Sequence, residues 1–491
     1  VNKDNFNRIA KPRFYLAATP LFALSCDIPT TNHPLNQEEP YMSFRQMRAV
    51  ARYTLVTTLI ISSIHDAGAE NTLADALTKG KVDLYARLRY EFVDDNQGAV
   101  KDADAVTLRT ALGYNTGLFH NFGLYLQLED VRAINEDYND GGTNGKIQYA
   151  TVVDPEGTEL QQANIRYEGI ANTVFRLGRQ EIEHRQAPLH RYVGNILWRQ
   201  NWQTFDAFRA THNAMIDPWT GLPRLKLDYS YVWNVNRIFG EDNKIADRDD
   251  MRMNSHFLRA EYEGFMPLLK LEGYGYLLDF DESTVAATQR LTTNTFGIRA
   301  EGSKGLGKKL GVLYTGEFAN QRDASDNPID INANYYLGEL GATWQVGHKY
   351  LGAVTVKGSY EVLEGDDFVP GLNRAFQTPL GTNHAFQGWA DRFLVTPADG
   401  IRDFFITVRA GLYGGATVMF MYHDLSSDND DYDYGVEYDV ILEKPFAKHW
   451  LAGVKYSAYD ADQNALNIAR NSVSGQAFDI NKFWTYIQFR F

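Results

Sequence analysis

From Val82 to Phe491 the chain keeps placing an apolar side chain at every second residue. Val82, Leu84, Ala86, Leu88, Tyr90 and Phe92 alternate with Asp83, Tyr85, Arg87, Arg89 and Glu91. Phe122, Leu124, Leu126 and Leu128 alternate with Gly123, Tyr125, Gln127 and Glu129. The last residues repeat the habit: Phe483, Thr485, Ile487, Phe489 and Phe491 against Trp484, Tyr486, Gln488 and Arg490. Successive side chains of a strand point to opposite faces, so strict alternation marks strands with one apolar and one polar face. Roughly eighteen such segments can be counted, within the range of transmembrane barrels. They fall near 81–93, 105–115, 121–131, 160–168, 172–180, 203–211, 224–235, 255–263 and 268–278. The second half adds 294–302, 310–320, 334–346, 351–363, 403–411, 414–424, 433–443, 449–459 and 481–491.

The connections alternate as well. "NTGLFHN", "EGIAN", "EGFMP", "SKGLGKK", "QVGHK", "YGG" and "KPFAKH" are short, while 132–159, 181–202, 236–254, 279–293, 364–402 and 460–480 are long and polar. Short turns at one end and long loops at the other are the habit of an antiparallel transmembrane barrel, turns in the periplasm and loops outside. A soluble β-sandwich also alternates, but it has no need of aromatics at strand ends. Here Tyr90, Phe92, Tyr114, Trp344, Trp450, Phe483 and Phe491 sit there, as interfacial girdles do. A closed barrel has no free edge, so the last strand must pair with the first and bring Phe491 to the periplasmic lipid boundary. Such a terminal aromatic resembles the end signal read by the barrel assembly machinery.

Composition agrees. Aromatics make up 13% of 491 residues, with 29 Tyr, 28 Phe and 40 Gly, yet the chain is polar on average. The most apolar run, Thr54–Ile64, is too short for a membrane helix, which takes about 20 residues. A formal charge of −14 argues against a nucleic-acid partner. Cys26 is the single cysteine, so no disulfide framework and no Cys-based metal site is expected.

Met47–Ala69 has Arg48 and Arg52, an apolar stretch and then Ala67-Gly68-Ala69, the layout of a secretory signal peptide. The expected organisation is an upstream, disordered extension over 1–46, a signal peptide over 47–69, a short periplasmic lead-in over 70–80 and the barrel over 81–491. The rival is a longer precursor with Tyr15–Ser25 as an earlier apolar segment before Cys26.

With the apolar face toward lipid, parity turns the charges inward. Arg87, Arg89, Arg109, Arg166, Arg259, Arg299 and Arg409 are expected to line the pore, with Glu91, Glu129, Glu168, Arg176, Lys226, Glu261, Glu301, Glu317, Lys357, Glu361, Glu437, Asp439 and Lys455. A barrel of this strand number leaves an aqueous channel, so the interior is expected to be wet. For any one arginine, an ion pair stiffening the wall competes with a ligand contact. Arg166/Glu168, Arg259/Glu261 and Arg299/Glu301 suit the former.

Two stretches break the alternation. Gly178–Arg209 holds Arg179, Arg185, Arg191, Arg199 and Arg209 among His184, His190, Trp198 and Trp202. Gly365–Asp403 holds Arg374, Arg392 and Arg402 with His384 and Trp389. Arginine offers forked donors to carboxylates, and tryptophan offers a flat face to a sugar ring. Arg179, Arg185, Arg199, Arg209, Arg374, Arg392, Arg402, Trp198 and Trp389 are therefore the candidate substrate path. A metal at His184 and His190 is disfavoured by the arginines beside them, and no cofactor is expected. The acidic loop His423–Asp433 reads as solvated, with Ca²⁺ bridging to lipopolysaccharide as a weaker reading. A barrel-embedded hydrolase has His423 with Asp424 as its nearest base, with no matching nucleophile motif. A siderophore-type receptor needs a plug domain ahead of the barrel, and 70–80 is too short.

The pattern "GRQ…R…VGN…WRQN…TFDAFR", then "HAFQGWADRFLVTPADGIRD" and the terminal Phe strand, resembles the alginate export family of outer-membrane porins over about Gly80–Phe491. Arg179, Gln180, Asn195, Arg199, Asn201, Asp206 and Arg209 match the first motif, and Trp389, Asp391, Arg392, Phe393, Pro397, Gly400 and Asp403 the second. The resemblance implies an eighteen-stranded barrel with an electropositive, Arg-lined pore for an anionic uronic-acid polysaccharide. The mixed signs on the wall keep a general or small-anion diffusion porin open as an alternative. The expected partners are an anionic carbohydrate, outer-membrane lipid and lipopolysaccharide, and the assembly machinery.

Overall fold

The computed structural model describes residues 72–491 apart from 99, 219–220, 222 and 282–283. The expected signal peptide and upstream extension lie outside the described residues. A short helix, α1 (Leu73–Thr78), precedes the first strand. Thr72 caps it, its hydroxyl accepting from the Asp75 amide at 3.0 Å.

Eighteen strands follow. They are β1 (Lys81–Asp95), β2 (Ala103–Asn115), β3 (Phe122–Asp137), β4 (Gly157–Ile170), β5 (Thr173–Gln180) and β6 (Thr204–Ile216). Next come β7 (Pro223–Asn236), β8 (Asp250–Phe265), β9 (Leu269–Leu277), β10 (Thr293–Leu306), β11 (Leu310–Asp323) and β12 (Asn332–His348). The last are β13 (Leu351–Leu363), β14 (Ile401–Leu412), β15 (Thr417–Ser426), β16 (Asp433–Phe446), β17 (Trp450–Ala461) and β18 (Ile480–Arg490). Each pairs antiparallel with its sequence neighbours, and β1 also pairs with β18, so the sheet closes. Beyond the assigned end of β18, Phe491 still exchanges two backbone hydrogen bonds with Leu84, at 2.9 and 3.1 Å.

The lipid face is legible in exposure. Leu112, Leu126, Ile165, Leu177, Ile298, Leu340, Val356, Val440 and Ile487 all lie open on the outer wall. A soluble monomer does not carry a continuous apolar belt of this kind. Aromatics rim it at the short-turn end, where Phe122, Tyr167, Phe175 and Phe208 follow one another across β3–β6 with ring centroids 4.7–6.4 Å apart. Several strands run further than the alternation predicts. β3 continues to Asp137 with Asp130 and Arg132 on its outer face. Above the hydrocarbon both faces meet water, so the pattern fades while the hydrogen-bond ladder continues.

The lumen is not uniformly wet. The long connections after β5 and β13, residues 181–203 and 364–400, fold into the loop-end half and fill it. Ile182, Tyr192, Val193, Phe376, Leu380, Ala390 and Phe393 form one buried cluster with Phe205, Phe257, Tyr274, Tyr276 and Tyr335 of the wall. The two segments pair with each other: the Gly194 amide donates to Leu380 O at 3.0 Å and the Thr382 amide to His190 O at 2.8 Å. Apolar area that strands alone would expose inside a ring this wide is covered by these insertions.

Candidate functional site

The inserted segments are riveted to the wall by charge. Arg185 reaches Glu272 at 3.0 Å and Glu317 at 2.6 Å, and Arg191 pairs with Glu361. Arg199 lies 3.4 Å from Glu91 and 2.9 Å from Asp391, and Lys482 of β18 meets Asp391 at 2.7 Å. Arg392 clasps Asp95 at 2.7 Å and donates to Asp479 O. Asp391 also accepts from His384 Nδ1 at 2.6 Å. Burial alone would raise the Asp391 carboxyl, yet His384, Lys482 and Arg199 together hold it well below the usual range. Burial, with Lys455 adding to it, pushes His384 down to about 3, so its ring is neutral. Its Nε2 lies 2.6 Å from Lys455 Nζ, which rests between Trp389 and Trp198, 3.8 and 4.1 Å from their ring centres. Trp198 and Trp389, far apart in sequence, are thus brought to one amine.

The other expected path residues lie elsewhere. Arg179 pairs in register with Ala163 and Asp206 and shares the outward face of Leu177. It bonds Asp206 and Glu241 at 3.0 Å each, at the loop-end rim, so parity removes it from the lumen. Arg402 also points outward at that rim, bound to Asp428 at 3.2 Å and Asp431 at 2.7 Å. Arg374 pairs with Asp366 at 3.3 Å near the surface.

The expected pore-lining arginines all face inward, with unequal access. Arg87, Arg89 and Arg109 are only 3%, 1% and 0% exposed, sealed behind residues 197–203. Arg87 donates to Leu197 O, Trp198 O and Gln200 Oε1, while Arg89 pairs with Asp154 and Arg109 with Glu129. Arg259 and Arg299 belong to a neutralised belt: Arg259 to Glu272 at 2.9 Å, Arg299 to Glu317 at 2.7 Å and to Glu301 at 3.0 Å. Arg409 is exposed in the open, short-turn half.

One rung in that open half is built differently. Arg166, Arg176 and Arg209 stand directly opposite one another on β4, β5 and β6. Like charges in this arrangement repel. Glu168 neutralises Arg166 at 2.9 Å, and Asp228 accepts from Arg209 at 3.0 Å. Arg176, between them, makes no ion pair among the described residues. Beside this rung opens a cavity of about 280 Å³ lined by Asn115, Tyr125, Gln162, Asn164, Arg166, Arg176, Gln180 and Glu181. Alternation places Arg176 on the inner wall without distinguishing it, and nothing in the sequence singles out Tyr125 or Glu181. Their convergence depends on register across four strands.

His184 and His190 face different partners, Tyr276 OH at 2.9 Å and Thr382 Oγ1 at 3.3 Å. Among the described residues no three His, Cys, Asp or Glu side chains form a metal cage. His423 is buried and held by Asp403 at 2.9 Å, not by the exposed Asp424, so it faces no substrate space.

Comparison with known proteins gives the following. The family model described as alginate export matches residues 80–393. No curated protein matches the sequence. The fold is similar to Acinetobacter baumannii OccAB2, with TM-score 0.60, 13% identity, and 85% of this chain and 99% of that one covered. Acinetobacter baumannii OccAB4 gives TM-score 0.59 and 13% identity over 85% and 99% of the two chains. Pseudomonas aeruginosa OpdK, solved with vanillate, gives 0.59 and 13% over 84% and 99%.

Proposed function

The chain belongs to the alginate export family and is an outer-membrane porin barrel, and on that premise we propose that its cargo is an anionic carbohydrate of the uronate type. The observation that carries this reading is Arg176. It is a guanidinium on the open half of the lumen, flanked by two arginines whose carboxylates are already engaged. A passing carboxylate supplies the missing counter-charge and accepts a forked pair of hydrogen bonds. Passage needs a contact strong enough to admit the anion and weak enough to release it, which an unpaired arginine between two neutralised ones provides. The outer rim, with Arg132, Arg179 and Arg402, then meets the lipopolysaccharide headgroups, and Phe491 is offered to the assembly machinery.

The cavity's size supports a second reading. At about 280 Å³ it falls just under the usual range for drug-sized ligands, about 300–1,000 Å³. It takes one ring at a time, which also suits diffusion of small carboxylates such as the vanillate seen with OpdK.

The test is planar-bilayer recording of the full-length protein. Wild type is expected to prefer anions and to be blocked by galacturonate oligomers but not by neutral sugars. Arg176→Gln is expected to lose both properties, while Arg374→Gln, at a surface pair, keeps them. Unaltered anion preference and block in Arg176→Gln would refute the uronate reading.

A further inference from the structure

The cavity beside Arg176 contains an anion that an anion path has no use for. Glu181 lines it and makes no ion pair among the described residues. Its two oxygens each accept one amide hydrogen bond, from Gln162 Nε2 at 3.0 Å and Asn195 Nδ2 at 2.9 Å, leaving further lone pairs free. Next to it Gln180, only 2% exposed, keeps its Oε1 without a partner. The Tyr125 hydroxyl spends its proton on Asp83 at 3.1 Å and so presents an acceptor. One side of the cavity therefore offers a free cation, and the other offers acceptors alone. A carboxylate cannot donate, so a simple anion gains at Arg176 and is repelled at Glu181. A molecule with a carboxylate at one end and hydroxyl donors at the other gains at both.

We propose that Glu181 is the residue that makes this porin select hydroxylated carboxylates, sugar acids, over anions without hydroxyls. The proposal rests on the uronate reading and adds the element of discrimination. Gln180 lines the same cavity and leaves its Oε1 without a partner there.

The experiment measures permeability ratios of galacturonate to acetate and to chloride in bilayers, with folding of each variant verified by heat-modifiable migration in gels. In Glu181→Gln the galacturonate/acetate ratio is expected to fall at least about fivefold, the effect of losing one charged hydrogen bond, while chloride conductance rises. Glu181→Asp, which keeps the acceptor charge, is expected to retain more than half of the selectivity. A ratio unchanged or raised in Glu181→Gln, with anion preference still lost in Arg176→Gln, overturns this inference and leaves the uronate reading standing. Persisting anion preference in Arg176→Gln overturns the uronate reading itself. A wild-type preference for amino acids over galacturonate that disappears in Glu181→Gln also overturns the inference, because Glu181 would then be pairing with ammonium.

Discussion

Replacing Asp391 by Asn tests whether charge holds the inserted segments in the lumen. Asp391 is the joint where Arg199, Lys482 and His384 converge at 2.9, 2.7 and 2.6 Å. The Arg199 and Lys482 side chains are 6% and 4% exposed, so the variant strands buried positive charge. Removing one partner of a buried ion pair costs about 3–5 kcal/mol. At about 1.4 kcal/mol per tenfold, the docked population falls roughly a hundredfold to several thousandfold relative to the undocked one. The barrel ladder itself is untouched. Single-channel recording should show larger and noisier conductance, and protease added to proteoliposomes should cut within 364–400. The control is Asp366→Asn, whose pair with Arg374 is 44% and 35% exposed and is worth about 0–1 kcal/mol. Wild-type conductance and protease resistance in Asp391→Asn would refute the claim that this joint fixes the segment.

Gly388→Ala should release the same tip from the other side. Gly388 has φ +83, and a Cβ there would lie 2.2 Å from the Glu437 carboxylate, so conductance should rise as in Asp391→Asn. Glu183, near the open half, is pushed up to about 7 by burial first and by Glu181 second, while Arg209, Arg490 and Asn195 act against this. It is charged at pH 8 and largely neutral at pH 6, so reversal potentials should show anion preference increasing as pH falls through about 7. Glu183→Gln should abolish that step. Because the Asp391 carboxyl is depressed, its contribution to docking is present above the ordinary carboxylate value and is lost only as pH falls through the lower, folded value. Docking should therefore persist at pH 5 in the protease assay. Leu340→Arg, at a site 66% exposed on the lipid face, should cost about 2–4 kcal/mol in urea-dependent folding into vesicles. Arg at the inward Thr343 should cost less.

The strands were legible because lipid imposes a penalty on every outward polar group, and Leu340 or Ile165 could not be placed otherwise. The interior carries no such rule. Arg185 and Glu317 meet across the lumen, and nothing local to either announces it. Arg179 was readable in principle: it is two residues from Leu177 and so must share its outward face, a constraint that the motif's arginine content obscured. The arginine rung shows a subtler limit. Counting back from the turn pair Ile170↔Thr173 would set Arg166 opposite Leu177. An irregularity between Tyr167 and Ile170 shifts the register by one and sets it opposite Arg176. Parity demands such a shift, but sequence does not say where it falls.

The seam between β1 and β18 is the last joint a barrel closes, and here it is backed from within. Arg392 grips Asp95 at the end of one seam strand, Lys482 of the other holds Asp391, and Arg199 spans from Glu91 to that same carboxylate. These contacts need both seam strands in place, so residues 364–400 gain their full set of anchors only where the first and last strands have met. Once settled, they act as a crossbar behind a door, and any lateral opening of the wall must first lift it.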